Sequence, residues 1–342
     1  MTVFSAPPPP ALTTVDSIDA VGREAWTALC RQSSAPAFYH YDFLRSVETL
    51  PLTRSARPVY LLAHDASGRL TAGLPLYLQE TKDPFGAPDA GPVRALVSHV
   101  WHCYDTVLPS AEPVSASLAA RFWASVNDLA GQARADLWGL VNVVLDGPLA
   151  EALRVAGVPV EPTMPRYRLP IADGPADVEE HLSGLGRSSR RALRRYRRQA
   201  REAGAVVTAA EGRTVLDQDV LDLCLATADK HAPGYYPPDA LAALIEALGP
   251  RCRLIRVELD GVLLAVSICL VDDHRLHAWA GGCRYPAELK WSPQYVLFAA
   301  ELEAGFSSGL PVLECGRRND EFKTRYGLHP LPLSRAVRRR EG

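Results

Sequence analysis

Residues 253–271 read Arg-Leu-Ile-Arg-Val-Glu-Leu-Asp-Gly-Val-Leu-Leu-Ala-Val-Ser-Ile-Cys-Leu-Val. Two apolar runs, Arg253 to Leu259 and Val262 to Val271, flank Asp260-Gly261, and that dipeptide tolerates the positive φ a tight hairpin turn demands. Working outward, Arg275 to Ala280 reads as a third strand, Ser292 to Phe306 as a helix and Pro311 to Cys315 as a further strand. The first half of the chain shows the same order. Val59 to His64 and Leu70 to Gln79 flank the turn Asp65-Ala-Ser-Gly68; a strand follows over Ala95 to Asp105, a helix over Val114 to Leu129 and a strand over Leu137 to Leu145. Ahead of them, Ser17 to Gln32 and Tyr41 to Leu50 read as helices. The match is one of element order and offset, not of residue identity, and it predicts two copies of one α/β module. One large α+β domain with two similar hairpins is the competing reading.

The 342 residues suffice for two domains. With 47% hydrophobic and 22% charged residues the composition is globular, which excludes a disordered or collagen-like chain. Seven cysteines (Cys30, Cys103, Cys224, Cys252, Cys269, Cys283, Cys315) lie scattered without a Cys-x-x-Cys pair, so neither a zinc site nor a disulfide framework is expected, and no metal. Residues 1–14 form a Pro-rich leader, expected to be disordered and lacking the pattern of a signal peptide. The longest apolar run, Gly261 to Val271, is too short to span a bilayer, so a cytoplasmic protein is expected. Serine-hydrolase, HExxH and Walker patterns do not occur.

Between the two halves lies Leu182 to Gly204. Its apolar positions, among them Leu182, Leu185, Leu193, Tyr196 and Ala200, fall at helical spacing, while Arg187, Arg190, Arg191, Arg194, Arg195, Arg197, Arg198 and Arg201 occupy most of the rest. Ser188 or Ser189 is expected to cap this helix (about 187–203) and Gly204 to end it. Eight arginines against Glu202 give about +7, which leaves −9 on the remainder of a chain whose formal net charge is −2. Three uses stay open: phosphate contact with RNA or a nucleotide, pairing with acidic residues of the neighbouring module, and a plain solvated face.

Three segments carry a resemblance to a known family. The run Leu182-Ser-Gly-Leu-Gly-Arg-Ser-Ser-Arg-Arg-Ala-Leu-Arg-Arg195 resembles the helix that opens the second module of GNAT-fold proteins of the Fem type. Trp291-Ser-Pro-Gln-Tyr-Val-Leu297 resembles their Ser-Pro start of the long helix. Glu314-Cys-Gly-Arg-Arg-Asn-Asp-Glu-Phe-Lys323-Thr-Arg-Tyr-Gly327 resembles their closing signature. The resemblance covers roughly Gly174 to Gly327, and the N-terminal half fits by element order and by Trp101-His-Cys-Tyr-Asp105. It implies an α/β (α+β) chain of two tandem GNAT-like modules, each a mixed sheet flanked by helices, near 15–170 and 171–342, with the active cleft between them.

The activity implied is N-acyl transfer that forms an amide. The foremost donor is aminoacyl-tRNA, used as a co-substrate with no tightly bound cofactor, and the acceptor is the amine of a small molecule, such as a natural product, or of a peptide. The alternative is an acyl-CoA-dependent GNAT enzyme. Such enzymes cradle pyrophosphate on a Gly-rich turn at a helix start. Here Gly281-Gly282 sit at a strand end instead, and Pro293 removes one donor at the helix start; Ser292 and Pro293 more simply cap and begin the helix. A non-catalytic binding module of the same fold is the third reading.

In the Fem pattern the lysine matching Lys323 lies near the reacting carbonyl, where an ammonium stabilises the oxyanion; a surface lysine paired with Asp320 or Glu321 is its plainer reading. Asp105 is the second catalytic candidate, as a carboxylate that orients and deprotonates the incoming amine, against a turn-capping role. Arg190, Arg194, Arg197, Arg201, Arg317 and Tyr326 are the donor-binding candidates, the first four toward the tRNA acceptor end. Trp101, Tyr104 and Trp279 are the acceptor-binding candidates, and packing is the plain alternative for the aromatics.

Overall fold

The structure is a computed structural model, and it describes residues 11–87, 91–99, 102–230, 232 and 234–340. In chain order the first part holds β1 (Thr13–Val15), α1 (Ile18–Val21), α2 (Arg23–Gln32), α3 (Tyr41–Thr49), β2 (Arg57–His64), β3 (Leu70–Lys82), β4 (Pro92–Val97), α4 (Ala116–Ala133), β5 (Leu137–Val144) and α5 (Pro148–Val155). There follow β6 (Glu161–Pro170), α6 (Val178–Gly184), α7 (Arg187–Glu202), β7 (Val206–Glu211), α8 (Gly212–Val215), α9 (Gln218–Asp229) and α10 (Pro238–Leu248). The chain ends with β8 (Cys252–Leu259), β9 (Val262–Val271), β10 (Arg275–Cys283), α11 (Pro293–Ser307), β11 (Val312–Glu314), α12 (Asp320–Arg325) and β12 (His329–Arg339).

Two compact units emerge. The first comprises the residues up to Glu48, Arg54–Thr163 and those from Leu333 on; the second comprises Thr49–Thr53 and Met164–Pro332. In the first the strand order is β1-β2-β3-β4-β5-β12, antiparallel except for the parallel pair β4–β5. In the second it is β7-β8-β9-β10-β11-β6, antiparallel except for the parallel pair β10–β11. The duplication of element order is therefore a duplication of topology, with a mixed sheet in each unit. Each unit takes its sixth strand from a distant stretch of chain: β12 pairs with β5 from Leu333↔Val144 to Arg339↔Leu137, and β6 pairs with β11 through Leu169↔Leu313.

The β8–β9 hairpin forms as its sequence requires, with φ of 51° at Asp260 and 75° at Gly261. Helix α7 ends in a Schellman motif: Gly204 (φ 85°) donates its N–H to Arg201 and Ala205 donates to Ala200. Its start differs from expectation. The helical spacing from Leu182 is broken between α6 and α7, Gly186 holds the N-cap position, and Ser188 and Ser189 lie inside the first turn, where Ser189 instead accepts a bond from Arg325 Nε at 2.9 Å. Ser292 occupies the N-cap position of α11, but its side chain makes no capping bond. Gly22, at φ 87°, splits the expected helix over 17–32 into α1 and α2. The expected strand over 95–105 ends at Val97.

In the first unit α4 lays Phe122, Trp123 and Val126 into a core with Leu74, Leu96 and Leu140. In the second, α11 lays Val296, Phe298 and Leu302 into a core with Leu264, Leu276 and Leu313. All seven cysteines are unbridged thiols. Among the described residues no helix is long and apolar enough to cross a membrane, and no cluster of His, Cys, Asp and Glu has the geometry of a metal site.

Candidate active site

The parallel pair β10–β11 is short. Its register runs from Arg275↔Val312 to His277↔Glu314, and there the strands part. β10 continues on β9 to Cys283↔Ala265, whereas Cys315 and Gly316 follow β6, Cys315 donating its N–H to Tyr167 and Tyr167 donating its own to Gly316, both at 2.9 Å. The result is a fork in the sheet of the second unit. The glycines of β10 belong to its frame. A Cβ on Gly281 would sit 2.3 Å from the carbonyl oxygen of Val266, and one on Gly282 would sit 2.3 Å from that of Leu223. They let β9 and α9 approach β10, a steric role that accounts for both without an anion.

Past Glu314 the chain turns through left-handed residues at Gly316, Arg318 and Asn319 (φ 65°, 62° and 56°) into α12. This turn carries Lys323 inward, 8% exposed, rather than to the surface position of its plainer reading. Its Nζ donates to the carbonyl oxygen of Arg317 at 2.7 Å and lies 5.5 Å from the centre of the Tyr167 ring. Burial pulls its ammonium down to about 8, while Cys315, Glu301 and Asp320 act in the opposite sense. Helix α11 contributes the partly buried Glu301, whose carboxyl is pushed up to about 7 by burial, with Ser267 and the charge of Lys323 acting in the opposite sense. Below the fork Arg166 and Glu314, 2% and 3% exposed, form an ion pair at 2.9 Å. On the neighbouring strand His277 bonds Asp272 at 2.7 Å.

Among the other candidates of the second unit, the backbone of Arg317 holds Lys323 and its side chain is partly buried. Tyr326 has no exposed surface: it stacks with Phe322, Phe298 and Tyr295 at ring distances of 4.7, 5.5 and 5.8 Å. Trp279 is 6% exposed and edges onto Tyr236 at 5.8 Å. Along α7, Arg190 donates to the Ser183 carbonyl at 2.8 Å, Arg194 pairs with Glu179 at 2.5 Å, and Arg197 pairs with both Glu179 and Glu303. These partners all lie within the second unit. Arg201 is exposed, and like Arg187 and Arg191 it has no ion pair among the described residues.

The first unit has an equivalent fork, past Val97↔Gly139 of the parallel pair β4–β5. Here the chain fills it. Ser98 Oγ accepts the Val141 N–H at 3.0 Å, Thr106 donates its N–H to Asn142 at 3.0 Å and bridges Val143, and the Ser98 and Thr106 hydroxyls meet at 2.6 Å. Asp105 belongs to this filling segment, 1% exposed with φ 62°. Tyr104 is partly buried against Phe38 at 5.6 Å. Trp101 lies outside the described residues.

Sequence reasoning missed Glu301, Arg166, Glu314, Asp272 and Ser267. Glu301 alone carried a signal, as an acid one turn from Leu297 and Gly305 on a helix that is otherwise apolar on that face.

Residues 187–324 match the family model described as an acetyltransferase (GNAT) domain. Among solved structures, the chain is similar to FemX at 10% identity, over 94% of this chain and 96% of that one, with a TM-score of 0.64. It is similar to a tandem GNAT protein from the clavulanic acid biosynthesis pathway at 12% identity, over 96% and 98%, with a TM-score of 0.55. It is also similar to L-PGS from Bacillus licheniformis at 10% identity, over 93% and 91%, with a TM-score of 0.54. None of the curated proteins compared matches it by sequence.

Proposed function

We propose that this GNAT acyltransferase of Fem-like fold carries an aminoacyl group from aminoacyl-tRNA to the amine of a small-molecule or peptide acceptor, at the fork of its second unit. The observation that carries the choice of donor is the face of α7. Arg187, Arg191, Arg194, Arg198 and Arg201 recur at alternating intervals of four and three residues, which places them in one row along about 21 Å of helix. The opposite face, through Leu193, Tyr196 and Ala200, packs on the unit's core and on α11, with the Tyr196 and Tyr295 rings 4.8 Å apart. Such a row suits a phosphate backbone better than a single pyrophosphate.

The chemistry needs little more than placement and charge. The acceptor amine attacks the ester carbonyl, a C–N bond forms, and negative charge gathers on the carbonyl oxygen. Lys323 supplies the positive charge for that oxygen. Collapse breaks the ester C–O bond, and the proton lost by the amine ends on the departing ribose hydroxyl. The activated ester provides the driving force, so this route calls for no resident cofactor or metal.

An acyl-CoA donor is the second reading, favoured by the acetyltransferase description of the matching model. Transfer assays with a panel of amines separate the two. Product formed with charged tRNA and abolished by ribonuclease supports the first reading. Product formed with acyl-CoA alone overturns it in favour of the second, and binding without turnover of either donor makes the chain a binding module.

A further inference from the structure

Helix α12 is fastened to one end of the arginine helix. Ser189, in the first turn of α7 and 2% exposed, accepts a hydrogen bond from Arg325 Nε at 2.9 Å. Just ahead of α7, His181 of α6 meets the carbonyl oxygen of Tyr326 at 3.0 Å through Nε2, which therefore carries the proton, since a carbonyl can only accept. Gly327 follows at φ 80°, packed so closely that a Cβ on it would sit 2.8 Å from the His181 ring and 3.1 Å from the Leu185 side chain. All three contacts gather at the start of α7. Arg201 is about 21 Å further along that helix than Arg187.

The anchor leaves most of Arg325 unused. The residue is exposed, and among the described residues its two Nη nitrogens make no hydrogen bond or ion pair. Glu321 precedes it by four positions, the spacing at which an acid and an arginine pair along a helix, yet no ion pair forms while Nε is turned toward Ser189. Its one ring contact is distant, with the guanidinium 6.0 Å from the centre of the Tyr326 ring. A tether alone would not call for a guanidinium, because His181 and Gly327 already hold that end of α12. A guanidinium fixed through Nε still offers both Nη groups, in the planar fork that suits a phosphate. Fixing it beforehand also removes part of the side-chain entropy that binding would cost. Lys323 is carried inward by the same six-residue helix, about 9 Å long.

We infer, resting on the RNA-donor reading, that Arg325 grips the phosphate next to the acyl ester, so that the donor runs along α7 with its reacting 3′ end at Arg187 and its body toward Arg201. This polarity puts the ester at the end of α7 where α12 is attached, and hence beside Lys323. The reverse polarity would carry the ester away from Lys323 and leave Arg325 without a phosphate. Ser189 touches no donor atom in this arrangement; it is a positioning residue that acts through Arg325.

Binding tests this apart from any transfer. The probes are uncharged tRNA and a short single-stranded RNA with the sequence of its 3′ end, each titrated with the full chain by fluorescence anisotropy at several salt concentrations. Arg325→Gln should weaken both about 10-fold, the scale for one charge-assisted contact, and make each salt slope shallower by about 0.7. Arg201→Gln should weaken tRNA alone, because the short strand ends before it reaches that residue. Ser189→Ala keeps the cation but frees it, so its affinity for the short strand should fall between those of wild type and Arg325→Gln, with the salt slope of wild type. That variant also keeps the test open should Arg325→Gln fail to fold. A short strand that ignores Arg325→Gln, or one that responds to Arg201→Gln instead, overturns the inference while leaving the RNA-donor reading in place. If neither RNA binds, the donor reading itself is refuted and the inference falls with it.

Discussion

Five of the eight arginines of α7 form two groups with different expected behaviour, and exchanging the three of one group tests the choice of donor. Arg187, Arg191 and Arg201 are exposed and make no ion pair among the described residues, while Arg194 and Arg197 are engaged by Glu179 and Glu303. Glutamine keeps helix propensity and length, so Arg187→Gln/Arg191→Gln/Arg201→Gln should leave the melting temperature unchanged. Each single-strand phosphate contact contributes about −0.7 to the slope of log affinity against log salt, so losing three contacts should make the slope shallower by about 2. Between 50 and 200 mM salt, wild-type affinity for charged tRNA should then fall about 20-fold more than that of the triple variant. Fluorescence anisotropy with end-labelled tRNA at several salt concentrations measures both slopes. Arg194→Gln/Arg197→Gln provides the contrast. Removing these partly exposed pairs should cost no more than about 1 kcal/mol each, visible in urea unfolding, with a smaller effect on the slope. Equal slopes for wild type and the triple variant would show that the row touches no phosphate, and the acyl-CoA reading would move ahead.

Lys323→Ala should keep the fold and lower kcat by about 10²–10³-fold, the scale for one lost oxyanion donor, and an unchanged rate with the preferred donor would remove it from the mechanism. If Asp105 serves the fold, Asp105→Asn should keep transfer within a few-fold, because asparagine tolerates the left-handed backbone, and Asp105→Ala should cost about 1–2 kcal/mol; an asparagine variant slower by about 10²-fold would identify Asp105 as the base instead. Glu314→Ala strands Arg166 in the interior and should cost about 3–5 kcal/mol in urea unfolding, most of it recovered in Arg166→Met/Glu314→Leu; a cost below about 1 kcal/mol would contradict the burial of the pair.

What the sequence disclosed was local. Asp260-Gly261 fixes its own hairpin, and the apolar pattern of Pro293–Ser307 marks a buried helix before any partner is known. What it concealed depends on distant chain. The strand through Arg166, Tyr167, Arg168 and Leu169 went unread in the sequence, and nothing local says that it pairs with β11, or that Arg166 lies 2% exposed against Glu314. The segment Ala95 to Asp105 reads as one strand because apolar and aromatic residues recur along it. Beyond Val97, Ser98, Cys103, Asp105 and Thr106 are buried by filling a fork, a cause that leaves no period of two. Ser189 has the chemistry of a cap, but the Leu185-Gly186 break places the helix start ahead of it. Lys323 was legible through its motif. The signal of Glu301 was weaker, since an acid on an otherwise apolar helix face is as consistent with a solvated edge as with burial.

Two forks of the same topology in one chain pose a physical question, because strands that diverge stop satisfying each other's backbone and something must take over. In the first unit neutral groups do so locally: the Ser98 hydroxyl meets the Val141 N–H, Thr106 meets Asn142, and Thr71 and Pro109 accept N–H groups from Ala111 and Gly73. That solution is cheap, since each group exchanges a bond to water for one of similar strength and no charge is buried. The second unit instead turns Lys323 inward past its fork, and burial draws its ammonium down to about 8. Stability alone would favour hydroxyls or apolar side chains there too. A buried ammonium past that fork is what the proposed transfer would use at a bound carbonyl, and on that ground Lys323 comes ahead of Asp105 as the first residue to test.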